Sequence, residues 1–224
     1  MAKESSERIV EAATRLFALK GYHGTSMRDI AKEVDLTVAT VQGHAGSKEM
    51  LYQEVFRRQY EEDYNIIHTA LEACSDKEME ALVTSAPLLR EFIKDIWAKL
   101  IGRLQDSPEL IRLWTFRWLE SDELALDIDR KYSIPLYQIE EEMINKARKN
   151  GVITSGRLET FIWLSGFTWL QMGYFTGRNL IRDLGEDDPF SPKSMTAFYE
   201  FLDRYVDLMI DFSDSSPLDK ISDQ

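Results

Sequence analysis

Residues 8–51 read RIVEAATRLFALKGYHGTSMRDIAKEVDLTVATVQGHAGSKEML, and this stretch predicts three short helices with a tight turn between the second and the third. In the first helix, apolar residues recur at the i, i+3, i+4, i+7 spacing of an amphipathic helix, namely at Ile9, Ala12, Ala13, Leu16 and Phe17. Gly21, directly after Lys20, indicates the end of that helix. Two helices joined by such a turn form the unit that places a recognition helix in the major groove of DNA.

The second and third helices carry their own start signals. Ser26, with Asp29 three residues later, predicts a capping box at the start of the second helix. Asp35 tolerates the left-handed conformation that the turn requires. Thr37 is then the predicted N-cap of a third helix over residues 38–44. This arrangement predicts a compact helix-turn-helix domain at the N-terminus.

The segment resembles the DNA-binding domain of the TetR (tetracycline-repressor) family of transcriptional regulators. The matching positions are Ile9-x-x-Ala12-Ala13-x-x-Leu16-Phe17, Gly21-Tyr22-x-x-Thr25-Ser26, Ile30-Ala31, Leu36-Thr37, Thr40-Val41, His44 and Ser47-Lys48-Glu49-x-Leu51. The resemblance implies an all-α homodimer of about nine helices per chain. It also implies that the N-terminal domain binds a double-stranded DNA operator and that a small-molecule effector, apolar or aromatic, releases it, which is the behaviour of a repressor.

Several residues of this segment are candidates for DNA contact. The side chains best placed to enter the major groove are Val38, Ala39, Thr40, Gln42 and His44, and Gly43 is a further candidate DNA-binding residue among them. Lys48 and the N-terminal groups at Thr25 and Ser26 are expected to contact phosphates, because cations and free backbone N–H groups both favour anions. The family pattern has a tyrosine where this chain has Gln42 and a phenylalanine where it has Ala45. These departures favour an alternative function, a helical dimer that binds small molecules or proteins and has weakened or lost sequence-specific DNA binding.

The rest of the chain is predicted to be helical, because no segment shows the sustained alternation of a strand. We predict an N-terminal domain over 1–52, a helical ligand-binding and dimerisation domain over 53–213, and a disordered polar tail over 214–224. The helices predicted after the third cover 48–73, 77–104 with a kink or break at Pro87, 108–119, 122–149 interrupted near Pro135, 158–178 and 193–212.

The last two predicted helices carry stripes that suit a dimer interface. Small and apolar residues recur on one side of the eighth helix, and apolar residues recur at three- and four-residue spacing in the ninth. The interface residues that these stripes predict are Gly166, Leu170, Gly173, Gly177, Phe198, Leu202, Tyr205 and Met209. The alternative is that both stripes serve only the core of one chain.

The middle helices are rich in aromatic side chains with a few polar groups, which suits a pocket for an amphipathic small molecule. The candidate ligand-binding residues are Tyr64, His68, Trp97, Trp114, Trp118 and Tyr137. Aromatic residues of this kind also fill ordinary cores, so each of them has a purely structural alternative.

Composition limits the classes of function. The net charge is −12, yet residues 1–58 hold nine Lys and Arg against eight Asp and Glu, so the acidity lies in the C-terminal part. One cysteine, Cys74, excludes an intrachain disulfide and fits the cytoplasm. Ser165, Thr168 and Gln171 interrupt the most apolar run, so no membrane span is predicted.

Enzymatic function is not predicted. Three histidines and one cysteine are too few and too scattered for a metal cluster, and no nucleotide-binding glycine motif or nucleophile motif is present. The consecutive acidic residues 140–142 are predicted to point in different directions as a solvated surface. No cofactor is expected.

Overall fold

The computed structural model describes residues 2–120, 122–210 and 212–213. Their helices are α1 (Ala2–Lys20), α2 (Met27–Glu33), α3 (Val38–Ala45), α4 (Lys48–Glu72), α5 (Asp76–Thr84), α6 (Ala86–Asp106), α7 (Glu109–Leu119), α8 (Glu123–Ile128), α9 (Ile134–Lys149), α10 (Arg157–Thr176), α11 (Arg178–Asp183) and α12 (Pro192–Met209). Within these residues no strand forms, and Ile153 and Phe212 make an isolated antiparallel bridge. The all-α prediction is confirmed, whereas the predicted tail 214–224 lies outside the described residues.

Local sequence signals form the N-terminal helices as predicted. Gly21 ends α1 with a φ of +70°, a conformation that other residues adopt at a cost. The Ser26 hydroxyl accepts from the backbone N–H of Asp29 at 3.1 Å, and the Asp29 carboxylate accepts from the N–H of Ser26 at 2.9 Å, which completes the capping box. Asp35 has a φ of 54° in the turn before α3. Thr37 caps α3 by accepting from the N–H of Thr40 at 3.1 Å.

Prolines shape two of the longer helices. The predicted helix over 77–104 is divided into α5 and α6 at Ser85, and Pro87 lies in the first turn of α6, where a missing N–H is tolerated. The interruption predicted near Pro135 is a π-helical turn, Asp129–Ser133, that continues α8 into α9. Pro135 lacks the N–H that would bond to the carbonyl of Lys131, and a π turn accommodates such a disturbed ladder.

The chain divides into two compact units, as far as each is described. The first comprises Met1–Tyr64 with Leu104–Leu136, and the second comprises Asn65–Arg103 with Tyr137–Gln224. This division differs from the boundary predicted after residue 52. The difference arises because α7 packs on α1 and so joins the N-terminal helices to a later part of the chain.

In the first unit, α7 packs on α1, and α4 packs on α7. Arg112 Nε donates to the carbonyl of Ala18 at 3.2 Å. The ring of Phe116 lies so near Gly21 that a Cβ there would approach it to 3.2 Å. Phe56 on α4 meets Trp114 on α7 edge to face, with ring centroids 4.8 Å apart. The N-terminal helices therefore share one apolar core with α7.

In the second unit, aromatic side chains from α6, α10 and α12 form the core. Trp97 stacks on Phe167 with centroids 4.0 Å apart and planes 5° from parallel. The Tyr205 hydroxyl donates to the carbonyl of Trp163 at 3.2 Å. Large aromatic side chains that pack in this way bury much apolar surface, which stabilises the second unit.

Candidate functional site

The outer face of α3 is an exposed surface of the N-terminal helices. Val41 is fully buried and anchors α3, while Val38 is half-buried. The remaining predicted groove residues are exposed: Ala39, Thr40, Gln42, Gly43 and His44. A Cβ placed on Gly43 would meet nothing within 4 Å, so this glycine is not required by packing inside the chain. Five of these residues are therefore accessible to a ligand and Val38 lies at the edge of the core, while their contact with DNA stays a prediction.

Two of the three residues that were predicted to contact phosphates, Thr25 and Ser26, form hydrogen bonds within the domain. Thr25 is buried, and its hydroxyl lies 2.9 Å from the carbonyl oxygen of Gly21 and 3.1 Å from that of Leu16. Ser26 is exposed, but its backbone N–H and its hydroxyl are both engaged by the Asp29 carboxylate. These hydrogen bonds lower the pKa of Asp29, so the capping box stays ionised. Thr25 thus holds the loop between α1 and α2 and does not present its hydroxyl to a ligand.

Lys48, the third predicted phosphate contact, also has partners within the chain. Its Nζ atom donates to the carbonyls of Tyr22 and Thr25 at 2.9 and 3.0 Å. It also lies 3.9 Å from the centroid of the Tyr22 ring, in a cation–π contact. Burial lowers the pKa of the Lys48 ammonium, and the nearby Glu120 carboxylate opposes that shift. In this conformation Lys48 ties α4 to the loop before α2.

Arg28 is a cation at this surface that the sequence reasoning did not select. It lies in the first turn of α2, is exposed, and has no ion-pair partner among the described residues. A helix start attracts anions through its unpaired N–H groups, and an arginine there adds a charged donor. The signal was available in the sequence, because Arg28 directly follows the first residue of a helix with a recognisable N-cap.

Polar contacts join the N-terminal helices to the segment around α8. The Tyr52 hydroxyl donates to Glu120 at 3.1 Å, and burial together with that carboxylate raises the pKa of Tyr52, so the hydroxyl keeps its proton. His23 Nε2 lies 3.2 Å from the carboxylate of Asp122. These contacts join α4 and the loop after α1 to the residues between α7 and α8.

The predicted dimer residues divide into two groups. Phe198, Leu202 and Tyr205 on α12 are buried within the single chain, so the α12 stripe is core and was wrongly predicted as an interface. The side chain of Met209 lies outside the described residues. Gly166 and Gly173 on α10 are exposed, while Leu170 and Gly177 are half-buried.

An apolar surface does remain on the α10 side of the second unit. We call it the α10 face and define it by Ile162, Gly166, Trp169 and Gly173, which follow one another at helical spacing. Ile162 and Trp169 are 55% and 50% exposed, which is unusual for side chains of this size. Leu180 and Leu184 on α11 are also exposed, at 64% and 73%.

The six predicted ligand-binding residues are divided between the two units. Tyr64, Trp114 and Trp118 belong to the first unit, where Trp114 packs between Phe56 and Trp118. In the second unit His68 pairs with Glu72 at 3.2 Å, and Tyr137 lies against Phe161 with ring centroids 6.3 Å apart. Trp97 is the member of the set that lines a cleft.

That cleft lies wholly within the second unit, between α4, α6, α9 and α10. It holds about 420 Å³ of space outside the protein atoms, counting its open mouth, and the centre of a water molecule fits in about 30 Å³ of it. Its lining is apolar apart from one acidic side chain. The lining residues are Ile67, Leu71, Phe92, Ile93, Ile96, Trp97, Ile139, Glu140, Met143, Ile144, Trp163 and Leu164.

Glu140 is the charged group in this lining, which contradicts the prediction that residues 140–142 form a solvated surface. The residue as a whole is half-buried, and the apolar surroundings of its carboxyl raise the pKa of that group to about 7. By contrast Glu142 is exposed, pairs with Lys146 at 2.9 Å, and has a lowered pKa. Helical spacing held the missed signal, because Glu140 stands four and seven residues before the buried Ile144 and Ala147.

The described residues contain no group of three or more His, Cys, Asp or Glu side chains placed to hold a metal ion. No helix among them combines the length and the apolar character needed to cross a membrane.

The N-terminal residues match a known family. Residues 9–55 match the model of bacterial regulatory proteins of the tetR family. The chain is 32% identical over 106 residues to IcaR of Staphylococcus aureus, the negative transcriptional regulator of the biofilm operon icaADBC, covering 46% of this chain and 55% of that protein. It is 39% identical over 74 residues to the transcriptional regulator LmrA of Bacillus subtilis, covering 33% of this chain and 39% of LmrA. The chain thus spans about half the length of the staphylococcal relative it matches.

Solved structures share the whole fold. The fatty acid degradation regulator FadR from Bacillus halodurans aligns with a TM-score of 0.63 at 18% identity, over 90% of this chain and 93% of FadR. A transcriptional regulator from Saccharomonospora viridis, solved in complex with choline, aligns with a TM-score of 0.62 at 21% identity, over 93% of this chain and 98% of that one. At these identities the likeness concerns the fold.

Proposed function

We propose that this chain, whose residues 9–55 match the model of the tetR family of bacterial regulatory proteins, is a homodimeric transcriptional repressor that binds operator DNA in the cytoplasm and leaves it when a small molecule binds. The observation that carries the proposal is the outer face of α3. The exposed residues of this face belong to a helix that begins after the N-cap Thr37 and is anchored by the buried Val41. The helix therefore forms even though the chain has Gln42 and Ala45 at the two positions that depart from the family pattern.

The proposed mode of DNA binding places α3 in the major groove. Gln42 and His44 are exposed and able to reach base edges, and a glutamine can make a bidentate contact with adenine. Arg28 supplies a cation for the phosphate backbone at the start of α2. The N-terminal 58 residues have almost no net charge, so we expect modest non-specific affinity and a specificity that depends on the groove contacts.

A second copy of the chain is proposed to cover the α10 face. One recognition helix makes few base contacts, and two half-sites about 34–36 Å apart require two copies of α3 on one duplex. The exposed Ile162 and Trp169, separated by glycines, give an apolar surface on which two backbones can approach closely. A self-complementary surface of this kind is the usual basis of a twofold dimer.

The cleft of the second unit is the proposed effector site. Its apolar and aromatic walls with one charged group are the composition of a small-molecule site. The Saccharomonospora structure holds choline in a protein of the same fold, so the fold is able to hold a small molecule. Release of DNA would be a population shift, in which the effector binds better to conformations that bind the operator poorly. The coupling is reciprocal, so bound operator must weaken effector binding by the same factor.

Selection from randomised duplexes tests the proposal. Purified protein at about 0.15 M salt should enrich an inverted repeat whose half-sites are about 10 base pairs apart. Enrichment of no motif would favour the alternative, a small-molecule-binding or protein-interaction dimer without sequence-specific DNA binding.

A further inference from the structure

We propose that Glu140 is the counter-ion for the charged nitrogen of a cationic, amphipathic effector that binds in the cleft of the second unit. This inference rests on the proposed effector site and names the chemical class of its ligand: a monocation with an aromatic or short aliphatic body. A neutral or anionic compound of the same shape would bind more weakly.

The carboxyl of Glu140 is isolated from other polar side chains of the cleft. All the other lining residues are apolar or aromatic, and the parts of α4, α6 and α10 that line the cleft contribute no charged side chain. Glu140 has no hydrogen-bond or ion-pair partner among the described residues. An ionised carboxylate in such surroundings is costly unless a cation joins it. A ligand that brings a positive charge would therefore gain more here than at the exposed Glu142, which already has Lys146.

The cleft also has aromatic side chains in its wall. Trp97 and Trp163 line the same cleft, with ring centroids 5.4 Å apart. Indole faces attract ammonium groups more strongly than other aromatic rings do. Trp163 Nε1 is also buried with no hydrogen-bond partner in the described part of the chain, so the cleft contains an unused donor. These walls suit an alkylated or aryl-substituted amine better than a strongly hydrated inorganic ion.

The size of the cleft adds a requirement. Because the centre of a water molecule fits in only about 30 Å³, a bound organic cation must move the lining side chains apart. Met143 lies beside Glu140 in this lining, and its unbranched side chain is readily rearranged. The cleft therefore opens as the ligand enters, and this is the conformational change through which binding would act on DNA affinity.

Protonation of Glu140 sets the pH range in which the proposed site works. Burial brings the pKa of its carboxyl to about 7, and none of the residues facing it from α4, α6 or α10 titrates. Below that pH the neutral acid no longer attracts a cation. Cation binding should therefore weaken as the pH falls from 8 to 6, and it should release a proton when measured near pH 7.

Three probes of nearly equal size separate charge from shape: phenethylamine, phenethyl alcohol and phenylpropanoate. Titration calorimetry and tryptophan fluorescence of the full chain without DNA, at pH 8, should give phenethylamine the tightest binding. Glu140→Gln should weaken phenethylamine about tenfold and leave the alcohol unchanged. Glu142→Gln, which removes the same charge from the exposed side of α9, should change neither. Fluorescence reports on the cleft directly through Trp97 and Trp163.

Equal affinity for the amine and the alcohol would overturn the proposal, as would equal loss in both glutamine variants. Circular dichroism of Glu140→Gln distinguishes a folded variant from an unfolded one, and retained alcohol binding shows that its cleft is intact. Failure of the proposed function has a different result: phenethylamine would still bind through Glu140 but would leave the affinity for a selected operator unchanged.

Discussion

The ammonium of Lys48 donates to the backbone carbonyl of Thr25 at 3.0 Å, across a sequence separation of 23 residues. Thr25 in turn is held by its own hydroxyl at the carbonyls of Leu16 and Gly21. Through this pair, the first residue of α4 fixes the loop from which α2 starts. The position of α2 and α3 therefore depends on an internal cation rather than on the helices alone.

Replacement of that cation should affect stability more than DNA electrostatics. A hydrogen bond from a charged group to a partly buried carbonyl contributes about 1.5–3 kcal/mol, so Lys48→Ala should lower the free energy of unfolding by about that amount. Urea denaturation measures this loss. The dependence of DNA affinity on salt should change little, because the ammonium is engaged within the chain.

Arg28→Ala is the matched comparison, since it removes one cation that has no ion-pair partner among the described residues. It should leave urea denaturation unchanged and reduce the slope of log K against log salt by about 0.9. If Lys48→Ala reduced the slope and Arg28→Ala did not, the roles assigned here to the two cations would be reversed.

Gln42 on the exposed face of α3 should determine sequence preference at one position of each half-site. Gln42→Ala removes its amide and should relax the preference at that base pair by about 1–3 kcal/mol, without changing the fold. Repeating the selection with the variant measures this effect. Gln53→Ala is a suitable control, because that amide donates to Asp127 inside the first unit at 3.2 Å. An unchanged preference at every base pair would exclude Gln42 from base reading.

Gly173→Leu should dissociate the proposed dimer while leaving the monomer folded. A Cβ at Gly173 would meet nothing within 4 Å in the single chain, so the leucine would obstruct only a partner on the α10 face. Sedimentation at micromolar concentration should show more monomer, with a dissociation constant for the dimer that is raised by more than about tenfold. Operator affinity should fall as well.

Leu202→Ala supplies the contrast for this interface. It should cost about 2–5 kcal/mol of stability because Leu202 is buried within the chain. Wild-type protein that sediments as a monomer would contradict the dimer.

Glu140 should make the stability of the protein depend on pH in a direction opposite to that of most acids. Its pKa is raised from an ordinary value of 4.5 to about 7, so the folded chain retains the proton longer than the unfolded chain. The resulting cost is absent below pH 4.5, grows between the two values and is complete above pH 7. Glu140→Gln should therefore be more stable than the wild type at pH 8 by about 1–3 kcal/mol, and equally stable at pH 4.5.

Thermal unfolding at the two pH values measures the difference. The control Glu142→Gln should show no such gain at pH 8, because the pKa of Glu142 is lowered by Lys146. A wild type that is as stable as Glu140→Gln at pH 8 would contradict the burial of this carboxyl.

Features decided by near neighbours in the chain were predictable from the sequence. The capping box of Ser26 with Asp29, the N-cap Thr37 and the left-handed Asp35 each depend on contacts within four residues. Helical periodicity likewise placed Phe198 and Leu202 on one apolar stripe, but the stripe was predicted as a dimer interface and both residues are buried within the chain. Periodicity does not show whether an apolar stripe packs against its own chain or against a partner. The apolar stripe of α12 packs against its own chain.

Features decided by distant contacts were not predictable in the same way. In the sequence Lys48 resembles a surface cation. Its contacts with the carbonyls of Tyr22 and Thr25 arise only from the fold, because those residues lie more than 20 positions earlier in the chain. Glu140 was hidden by its neighbours, because three consecutive glutamates suggest a solvated surface. Its spacing to Ile144 was the better guide, since helical residues four apart share a face.

The central claim is that the outer face of α3 reads a DNA sequence, and competition binding tests it most directly. The duplex recovered by selection and a scrambled duplex of the same composition are titrated with the wild-type chain at about 0.15 M salt. We predict that the selected duplex binds at least about a thousandfold more tightly. Equal affinity for the two duplexes would contradict it.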